Sequence, residues 1–199
     1  MIFGRDSSGI QSEITTVNPI HPYGVAKAYA DNMVREFRSV FGMYCCSGIF
    51  FNHESERRGE MFFSKKITTA VADIMKGGKK KIKVGSLDSV RDYGYAPDYM
   101  QAVYLMMNNS KPTDYVIGTG KLISLLDFIE RCFKYAGLES KRHIEYDESL
   151  YRKNDTNVLC ADASKIKSEL GWQPTMPTNE MIQRMIEYNL QETKFANTY

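Results

Sequence analysis

Apolar positions along the chain shift between helical spacing and short continuous runs. From Tyr23 to Phe41 they recur every three or four residues, which predicts an amphipathic helix that ends at Gly42. The continuous apolar run from Met43 to Phe51 is short enough for a strand that is buried on both faces of a parallel sheet. The charged stretch from Asn52 to Glu60 then predicts a loop.

The rest of the chain continues the alternation of strands and helices. Ser124 is a suitable N-cap and Gly137 a suitable end for one of these helices. The pattern predicts helices at 62–75, 97–107, 124–135, 162–170 and 178–191, and strands at 81–84, 91–95, 114–117 and 142–146. Strands that alternate with helices in this way are typical of the α/β class.

Composition and charge exclude several classes of function. With 26 basic and 24 acidic residues the net charge is +2, so nothing in the overall charge favours binding to nucleic acid or to a membrane surface. Since no apolar stretch approaches the ~20 residues of a membrane helix, we expect a soluble, cytoplasmic protein. The four cysteines lack metal-ligand spacing, and Cys45-Cys46 lies in an apolar run. This predicts buried thiols in a reducing compartment and no metal site.

One pair of residues at the start of the first helix has chemical potential. Tyr23 and Lys27 are four positions apart, so their side chains share one face of the helix. A nearby ammonium lowers the pKa of a phenol from its ordinary ~10, and the phenolate is a competent general base for a sugar hydroxyl. An ordinary amphipathic helix produces the same pair by chance, so the spacing alone leaves both interpretations open.

Six segments around this pair carry a resemblance to a known family. In chain order they are NPIHPYGVAK at 18–27, FNHESERRGE at 51–60, KKIT at 65–68, GSLDSVRDYGYAPDY at 85–99, DYVIGTG at 114–120 and LGWQP at 170–174. Together they resemble GDP-mannose 4,6-dehydratases, which are extended short-chain dehydrogenases/reductases. The string that begins at Asn52 is the most specific, because related epimerases and reductases seldom share it. The similarity runs from Ile2 to about Leu190.

The resemblance implies a fold and a domain layout. The fold would be the C-terminal part of an extended short-chain dehydrogenase/reductase, with a partial Rossmann-type parallel sheet and a small mixed α/β substrate-binding domain. Residues 1–60 would be a remnant of the Rossmann-type domain. Residues 61–199 would be mainly the substrate-binding domain, with some segments returning to the Rossmann-type part. No Gly-rich turn joins a strand to a helix, so we expect the N-terminal nucleotide-binding half to be missing.

The resemblance also implies roles for individual residues. Tyr23 and Lys27 would be the catalytic pair, and with His53 and Arg58 they would contact NADP. The residues implied near the substrate are Asn52, Lys66, Arg91 and Arg152 at the diphosphate or sugar, Asp155 at the ribose, and Val84 and Gly85 at the guanine. In the family, a hydride leaves C4 of the mannose, water is lost across C5 and C6, and the hydride returns to C6. Such an enzyme is a lyase, because its cofactor is regenerated in each turnover.

The chain departs from the family pattern in two places. Met1 stands where the family has a glutamate, and the hydroxyl residue before it is absent. The stretch YRKND at 151–155 stands where the family usually has Arg-Pro-x-Glu, so Asp155 would replace a longer glutamate. We therefore expect a GDP-mannose 4,6-dehydratase that is incomplete or inactive as an isolated chain and does not bind NADP tightly. It would form a homo-oligomer or pair with a separate N-terminal half.

Alternative interpretations remain open at this stage. The chain could be a non-catalytic module that binds a nucleotide sugar or serves assembly. It could also be a GDP-keto-sugar reductase or a UDP-hexose epimerase, since both would share Tyr23 and Lys27. The charged loop residues His53, Arg57 and Arg152 could be merely solvated, and Arg91 with Asp92 could form a weak surface ion pair.

Overall fold

The computed structural model describes residues 2–4, 9–78, 81–85, 87–150 and 158–196, with side chains to residue 191. The chain forms two compact units. The first unit comprises Met1–His53, Arg91–Leu122 and Val158–Thr175. The second unit comprises Glu54–Val90, Ile123–Asn157 and Met176–Tyr199. Each unit therefore draws on three separate stretches of the chain.

Strands and helices alternate through both units. In chain order they are β1 (Ile10–Gln11), α1 (Pro22–Phe41), β2 (Gly48–Phe50), β3 (Asn52–Glu54), α2 (Phe63–Met75), β4 (Ile82–Val84), β5 (Val90–Tyr95), α3 (Ala96–Met107), β6 (Tyr115–Ile117), β7 (Leu122–Ser124), α4 (Leu125–Tyr135), β8 (Ile144–Tyr146), β9 (Val158–Ala161), α5 (Ser164–Leu170) and α6 (Thr178–Ala196). The pairs β1–β9, β2–β6 and β4–β8 are parallel. The predicted α/β class is confirmed.

The first unit is built on two sheets. One has the strand order β1-β9-β5-β3, and β7 pairs with β5. The other joins β2 to β6 in the register Ile49 to Val116. Two groups of buried side chains fill the interior, and they consist of Tyr99, Ala102, Met106, Tyr115, Ile117, Ile166 and Trp172, and of Phe3, Phe51, Val116 and Ala161. These strands and cores fix β3, which carries two of the predicted site residues.

A buried carboxylate ties three segments of the first unit together. Asp92 on β5 is 1% exposed. Its Oδ1 accepts hydrogen bonds from the N–H and the hydroxyl of Thr119, at 2.9 and 2.6 Å. Its Oδ2 accepts from the N–H groups of Gly120 and Ala161, at 2.8 and 3.1 Å. Burial raises the pKa of Asp92, although these hydrogen bonds oppose the rise.

A second carboxylate holds α1 against the β2–β6 sheet. Asp114 accepts two hydrogen bonds of 2.7 Å from the Arg38 guanidinium and a third of 2.7 Å from the N–H of Ser47. Partial burial alone would raise the pKa of Asp114. The bonds from Arg38 and Ser47, together with the charges of Arg38 and Arg35, outweigh it and lower the pKa below its usual value.

The second unit has a core of three helices. Helices α2, α4 and α6 pack together, and their fully buried side chains include Ile67, Val71, Ala72, Phe128, Ile129, Cys132, Met185 and Ile186. Lys65 on α2 is also buried, and its Nζ donates to Oδ1 of Asn189 at 2.6 Å and to the carbonyl of Glu56 at 3.0 Å. The hydroxyl of Ser124 caps α4 by accepting from the N–H of Asp127 at 2.9 Å, as the sequence predicts.

Much of α1 is exposed on its apolar side. Only Gly24 and Ala28 of this helix are buried. The exposed apolar side chains on α1 recur at nearly helical spacing and are Val25, Tyr29, Phe37, Val40 and Phe41. β2 pairs with β6, and in the part of the chain that the structure describes no other strand pairs with it. The described residues therefore leave this apolar face of α1 largely exposed to solvent.

Several expectations from the sequence are wrong. Of the strand predicted from Met43 to Phe51, only Gly48–Phe50 is a strand in the structure. β3 occupies the start of the predicted loop. The short strands β1, β7 and β9 were not predicted, because two to four residues carry too little pattern. Cys45 and Cys46 are half-buried rather than core residues.

No helix among the described residues is long and apolar enough to cross a membrane.

We expect Asp92→Asn to destabilise the chain by about 2–4 kcal/mol, because the amide NH₂ must face two N–H or O–H donors that then lose their acceptor. Urea unfolding measures the change. The matched control is Glu139→Gln, which removes an exposed ion pair with Arg142 in the second unit. That substitution should change the free energy of unfolding by about 0.5 kcal/mol or less. A loss below about 1 kcal/mol for Asp92→Asn would contradict the role given to this carboxylate.

We expect the stability that Asp114 contributes to depend on pH in one direction. Because its pKa is lowered in the folded chain, the contribution is complete above the ordinary aspartate pKa and is lost as the pH falls through the folded value. Wild type should exceed Asp114→Asn by about 2 kcal/mol at neutral pH, and the difference should shrink as the pH falls below about 4. Unfolding midpoints measured from pH 7 downward test this. A difference that grows on acidification would contradict it.

Candidate functional site

Tyr23 and Lys27 lie together on the exposed side of α1. The neighbouring positions Gly24 and Ala28 face the interior, which turns the Tyr23 side outward. Tyr23 is 61% exposed, and Lys27 Nζ lies 5.5 Å from the centroid of its ring. Neither the hydroxyl nor the ammonium has a hydrogen-bond partner among the described residues. The pair thus contributes nothing visible to the core and is open to a ligand.

Asn52 and His53 lie on β3, at the edge of the first unit's larger sheet. The hydroxyl of Tyr99 donates to the carbonyl of Asn52 at 3.3 Å. The imidazole of His53 packs with centroid distances of 5.3 Å to the Tyr99 ring and 5.5 Å to the Phe50 ring. This aromatic cluster holds the His53 ring in one orientation.

The tautomer of His53 follows from its contact with the backbone. Nδ1 lies 2.9 Å from the carbonyl oxygen of Phe51. Since a carbonyl only accepts, Nδ1 must carry the proton. The other nitrogen, Nε2, is then an acceptor in the neutral ring, and no described residue donates to it. His53 can therefore accept a hydrogen bond from an amide or a hydroxyl of a ligand.

Arg91 is a buried residue of β5, 8% exposed, and follows Val90 on the strand next to β3. The expectation that Arg91 and Asp92 could form a weak surface ion pair is wrong. Both residues are buried, and the Asp92 carboxylate accepts from backbone and hydroxyl donors instead. Sequence could not show this, because an Arg-Asp dipeptide has the same appearance in a surface loop and in a buried strand.

In the second unit, Arg58 and Lys66 lie near the start of α2. Nε of Arg58 lies 3.1 Å from a carboxylate oxygen of Glu54, and its guanidinium carbon lies 3.6 Å from the centroid of the Phe62 ring. Lys66 is exposed in the first turn of α2, where its N–H donates to the carbonyl of Phe62 at 2.9 Å. No described residue bonds to the Lys66 ammonium.

The remaining predicted residues are at the end of β4 or cannot be placed. Val84 is buried, Gly85 is half-buried, and the Val84 carbonyl accepts from the N–H of Asp147 at 2.8 Å. Arg152 and Asp155 lie outside the described residues. The described part of the chain holds no cluster of three metal-ligating side chains. Sequence reasoning missed the supporting side chains Glu54, Phe62, Ser64 and Tyr99, since contacts between separate turns leave no periodic signal.

Comparison with protein families and curated sequences gives a consistent result. The family model described as GDP-mannose 4,6 dehydratase matches residues 1–185. The chain is 39% identical over 184 residues to GDP-mannose 4,6 dehydratase 1 of Arabidopsis thaliana, which covers 92% of this chain and 51% of that protein. It is 34% identical over 207 residues to the GDP-mannose 4,6 dehydratase of Homo sapiens, covering 96% and 56%. The chain thus spans about half the length of the curated relatives it matches.

Solved structures share the fold at low sequence identity. RMD from Pseudomonas aeruginosa complexed with NADPH has a TM-score of 0.87 at 18% identity. The match covers 96% of this chain and 64% of the RMD chain. A dTDP-glucose 4,6-dehydratase from Bacillus anthracis in complex with NAD has a TM-score of 0.85 at 19% identity, covering 98% and 60%. A UDP-glucose 4-epimerase with UDP-glucose from Thermotoga maritima has a TM-score of 0.83 at 23% identity, covering 97% and 61%.

We expect Tyr23→Phe to leave stability almost unchanged, within about 0.5 kcal/mol, because its hydroxyl is exposed and makes no internal bond. The matched control is Tyr99→Phe, which removes the same atom from a buried ring that bonds to the Asn52 carbonyl. That variant should lose about 1 kcal/mol. Chemical denaturation of both variants gives the comparison. Equal losses would mean that Tyr23 has a structural role.

Proposed function

This chain belongs to the GDP-mannose 4,6-dehydratase family, and on that basis we propose that it supplies the general base and much of the nucleotide-sugar pocket of such an enzyme. The reaction would convert GDP-mannose to GDP-4-keto-6-deoxymannose, which makes the enzyme a lyase. The observation that carries the proposal is the exposed pair Tyr23 and Lys27, which has no partner within the described structure. The resemblance seen in the sequence is confirmed at the level of the family.

Tyr23 would take the proton from the 4-hydroxyl of the mannose. A phenol is a suitable base for this step when an ammonium next to it favours the phenolate. Lys27 shares the exposed side of α1 with Tyr23, and its ammonium is available both to the phenolate and to a ribose hydroxyl. The two side chains therefore meet the chemical demands of the proposed step.

The residues of this chain fit a nicotinamide dinucleotide, and we propose NADP, held by Tyr23, Lys27, His53 and Arg58. The fit rests on side chains with open donors and acceptors. The Lys27 ammonium suits a ribose hydroxyl, Nε2 of His53 suits an amide or hydroxyl donor, and Arg58 suits a phosphate. When bound, the cofactor would accept a hydride from the sugar and later return that hydride to it.

The nucleotide sugar would be held by charged and amide side chains of this chain. We propose that Asn52, Lys66, Arg91 and Arg152 bind the diphosphate and sugar, that Asp155 contacts the ribose, and that Val84 and Gly85 line the guanine. Lys66 supports this best, since its exposed ammonium has no partner among the described residues. The half-buried side-chain amide of Asn52 is likewise unbonded in the described structure. Charged and amide donors of this kind bind phosphate oxygens well.

We propose that the exposed apolar face of α1 contacts another polypeptide. Five large apolar side chains are exposed there, from Val25 to Phe41. The chain spans about half the length of its curated relatives, so the occupant we favour is the part of the family sequence that these residues do not span. The other candidate occupant is a second copy of this chain. Sedimentation of the chain alone tests it, because association between two copies would contradict the occupant that we favour. The cytoplasmic location expected from the sequence stays a prediction.

The test of the proposed function is selective nucleotide binding. We expect GDP to raise the thermal unfolding midpoint of the chain more than UDP does. Lys66→Ala should weaken GDP binding by about tenfold or more, because a hydrogen bond to a charged group contributes about 1.5–3 kcal/mol. Calorimetric titration gives the affinities.

The matched control is Lys134→Ala, since Lys134 is another exposed helical lysine of the second unit. It should leave GDP affinity unchanged. Equal binding of UDP and GDP would contradict the guanine pocket, and tighter binding of UDP would favour a UDP-hexose epimerase. Equal effects of the two lysine substitutions would remove Lys66 from the pocket.

A further inference from the structure

Glu54 is an acidic side chain almost completely removed from solvent. It ends β3 and is 2% exposed. One of its oxygens, Oε2, accepts a hydrogen bond from the hydroxyl of Ser64 on α2. The same oxygen lies 3.1 Å from Nε of Arg58. A buried carboxylate is costly unless it is paired, and Glu54 is paired on two sides.

Arg58 is held by two contacts and leaves its terminal nitrogens unused. Its guanidinium lies 3.6 Å from the centroid of the Phe62 ring, which fixes the plane of the group. Its Nε is buried against Glu54 without the alignment of a hydrogen bond. The two Nη groups have no hydrogen-bond partner within the described residues, and the side chain is 24% exposed. Arg58 thus presents a planar pair of donors that no described residue uses.

This geometry is that of a preorganised anion fork. A free arginine side chain has many rotamers, and fixing it on binding costs affinity. Because Glu54 and Phe62 already fix the Arg58 side chain in the folded chain, binding does not have to order it again. Ser64 in turn fixes the carboxylate, because its hydroxyl comes from the first turn of α2 rather than from the loop. The chain Ser64, Glu54, Arg58 therefore runs from a helix to the fork.

We propose that Glu54 is a positioning residue that fixes Arg58 to receive a phosphate group of the dinucleotide. The proposal rests on the proposed function, which assigns Arg58 to the cofactor. It goes further by naming the side chains that make this arginine competent. Burial raises the pKa of the Glu54 carboxyl, while Ser64 and Arg58 oppose the rise, so both partners favour its charged form.

Electrostatic repulsion and positioning predict opposite effects on anion binding when Glu54 loses its charge. A carboxylate behind Arg58 repels a phosphate, so simple electrostatics predicts tighter anion binding when Glu54 loses its charge. Positioning predicts the opposite result. We expect Glu54→Gln to weaken the binding of inorganic pyrophosphate about fivefold, and Ser64→Ala to weaken it about twofold, because the latter only loosens the carboxylate. Amide chemical shifts of the full chain give these affinities.

The decisive measurement is a double-mutant cycle with Arg58→Ala. If Glu54 acts through Arg58, Glu54→Gln should have no further effect on pyrophosphate affinity in the Arg58→Ala background. A purely structural role would weaken binding in both backgrounds and would lower the unfolding midpoint in parallel. Independent effects of the two substitutions, or tighter binding by Glu54→Gln, would overturn the proposal. If Glu54→Gln does not fold, Ser64→Ala takes its place in the same cycle with the same outcomes.

Two further ligands separate this proposal from the proposed function. NADP⁺ and GDP both carry diphosphate groups, and the coupling between Glu54 and Arg58 should appear with NADP⁺ and not with GDP. Coupling with GDP instead would assign the fork to the nucleotide sugar and overturn the cofactor assignment. If GDP selectivity fails while the pyrophosphate coupling holds, the proposed function falls and the fork survives. If GDP selectivity holds without coupling, only the positioning role falls.

Discussion

The four hydrogen bonds to the buried carboxylate of Asp92 are the constraint on which the first unit depends. They join β5 to the turn that follows β6 and to β9, so three distant stretches of chain meet at one side chain. The turn admits only glycine at Gly118, because an added Cβ would lie 2.3 Å from the Cβ of Ala161 and 3.0 Å from Oδ2 of Asp92. β5 in turn pairs with β3, the strand of Asn52 and His53.

The ionisable residues of this chain fall into two groups that differ in their surroundings. Asp92, Asp114 and Glu54 are partly or fully buried, and each is bound by donors from other segments. Tyr23 and Lys27 are exposed, and the described structure gives their polar atoms no partner. The first group holds segments together, while the second is free for a ligand. Physical surroundings thus distinguish side chains that hold segments together from side chains whose polar atoms are open to a ligand.

Family membership and fold contribute different information about function. The sequence matches place the chain in a family of sugar-nucleotide lyases. The solved structures, at 18–23% identity, show only that RMD, a dTDP-glucose 4,6-dehydratase and a UDP-glucose 4-epimerase share this fold. The fold therefore does not select the reaction. The roles proposed for the loop after Phe51 and for the Tyr23–Lys27 pair rest on the family match and on the exposure of Tyr23.

The sequence by itself determined the α/β class, the bounds of the long helices and the Tyr23–Lys27 pair, because helical spacing and caps are local properties. α1, α2 and α4 lie within a residue of their predicted starts. Only the tertiary structure decided that Asp92 is a buried hub, that β3 replaces a loop, and that Glu54 and Phe62 support Arg58. Those facts depend on contacts between segments far apart in the chain or in different turns. Such contacts leave no period in the sequence from which they could be predicted.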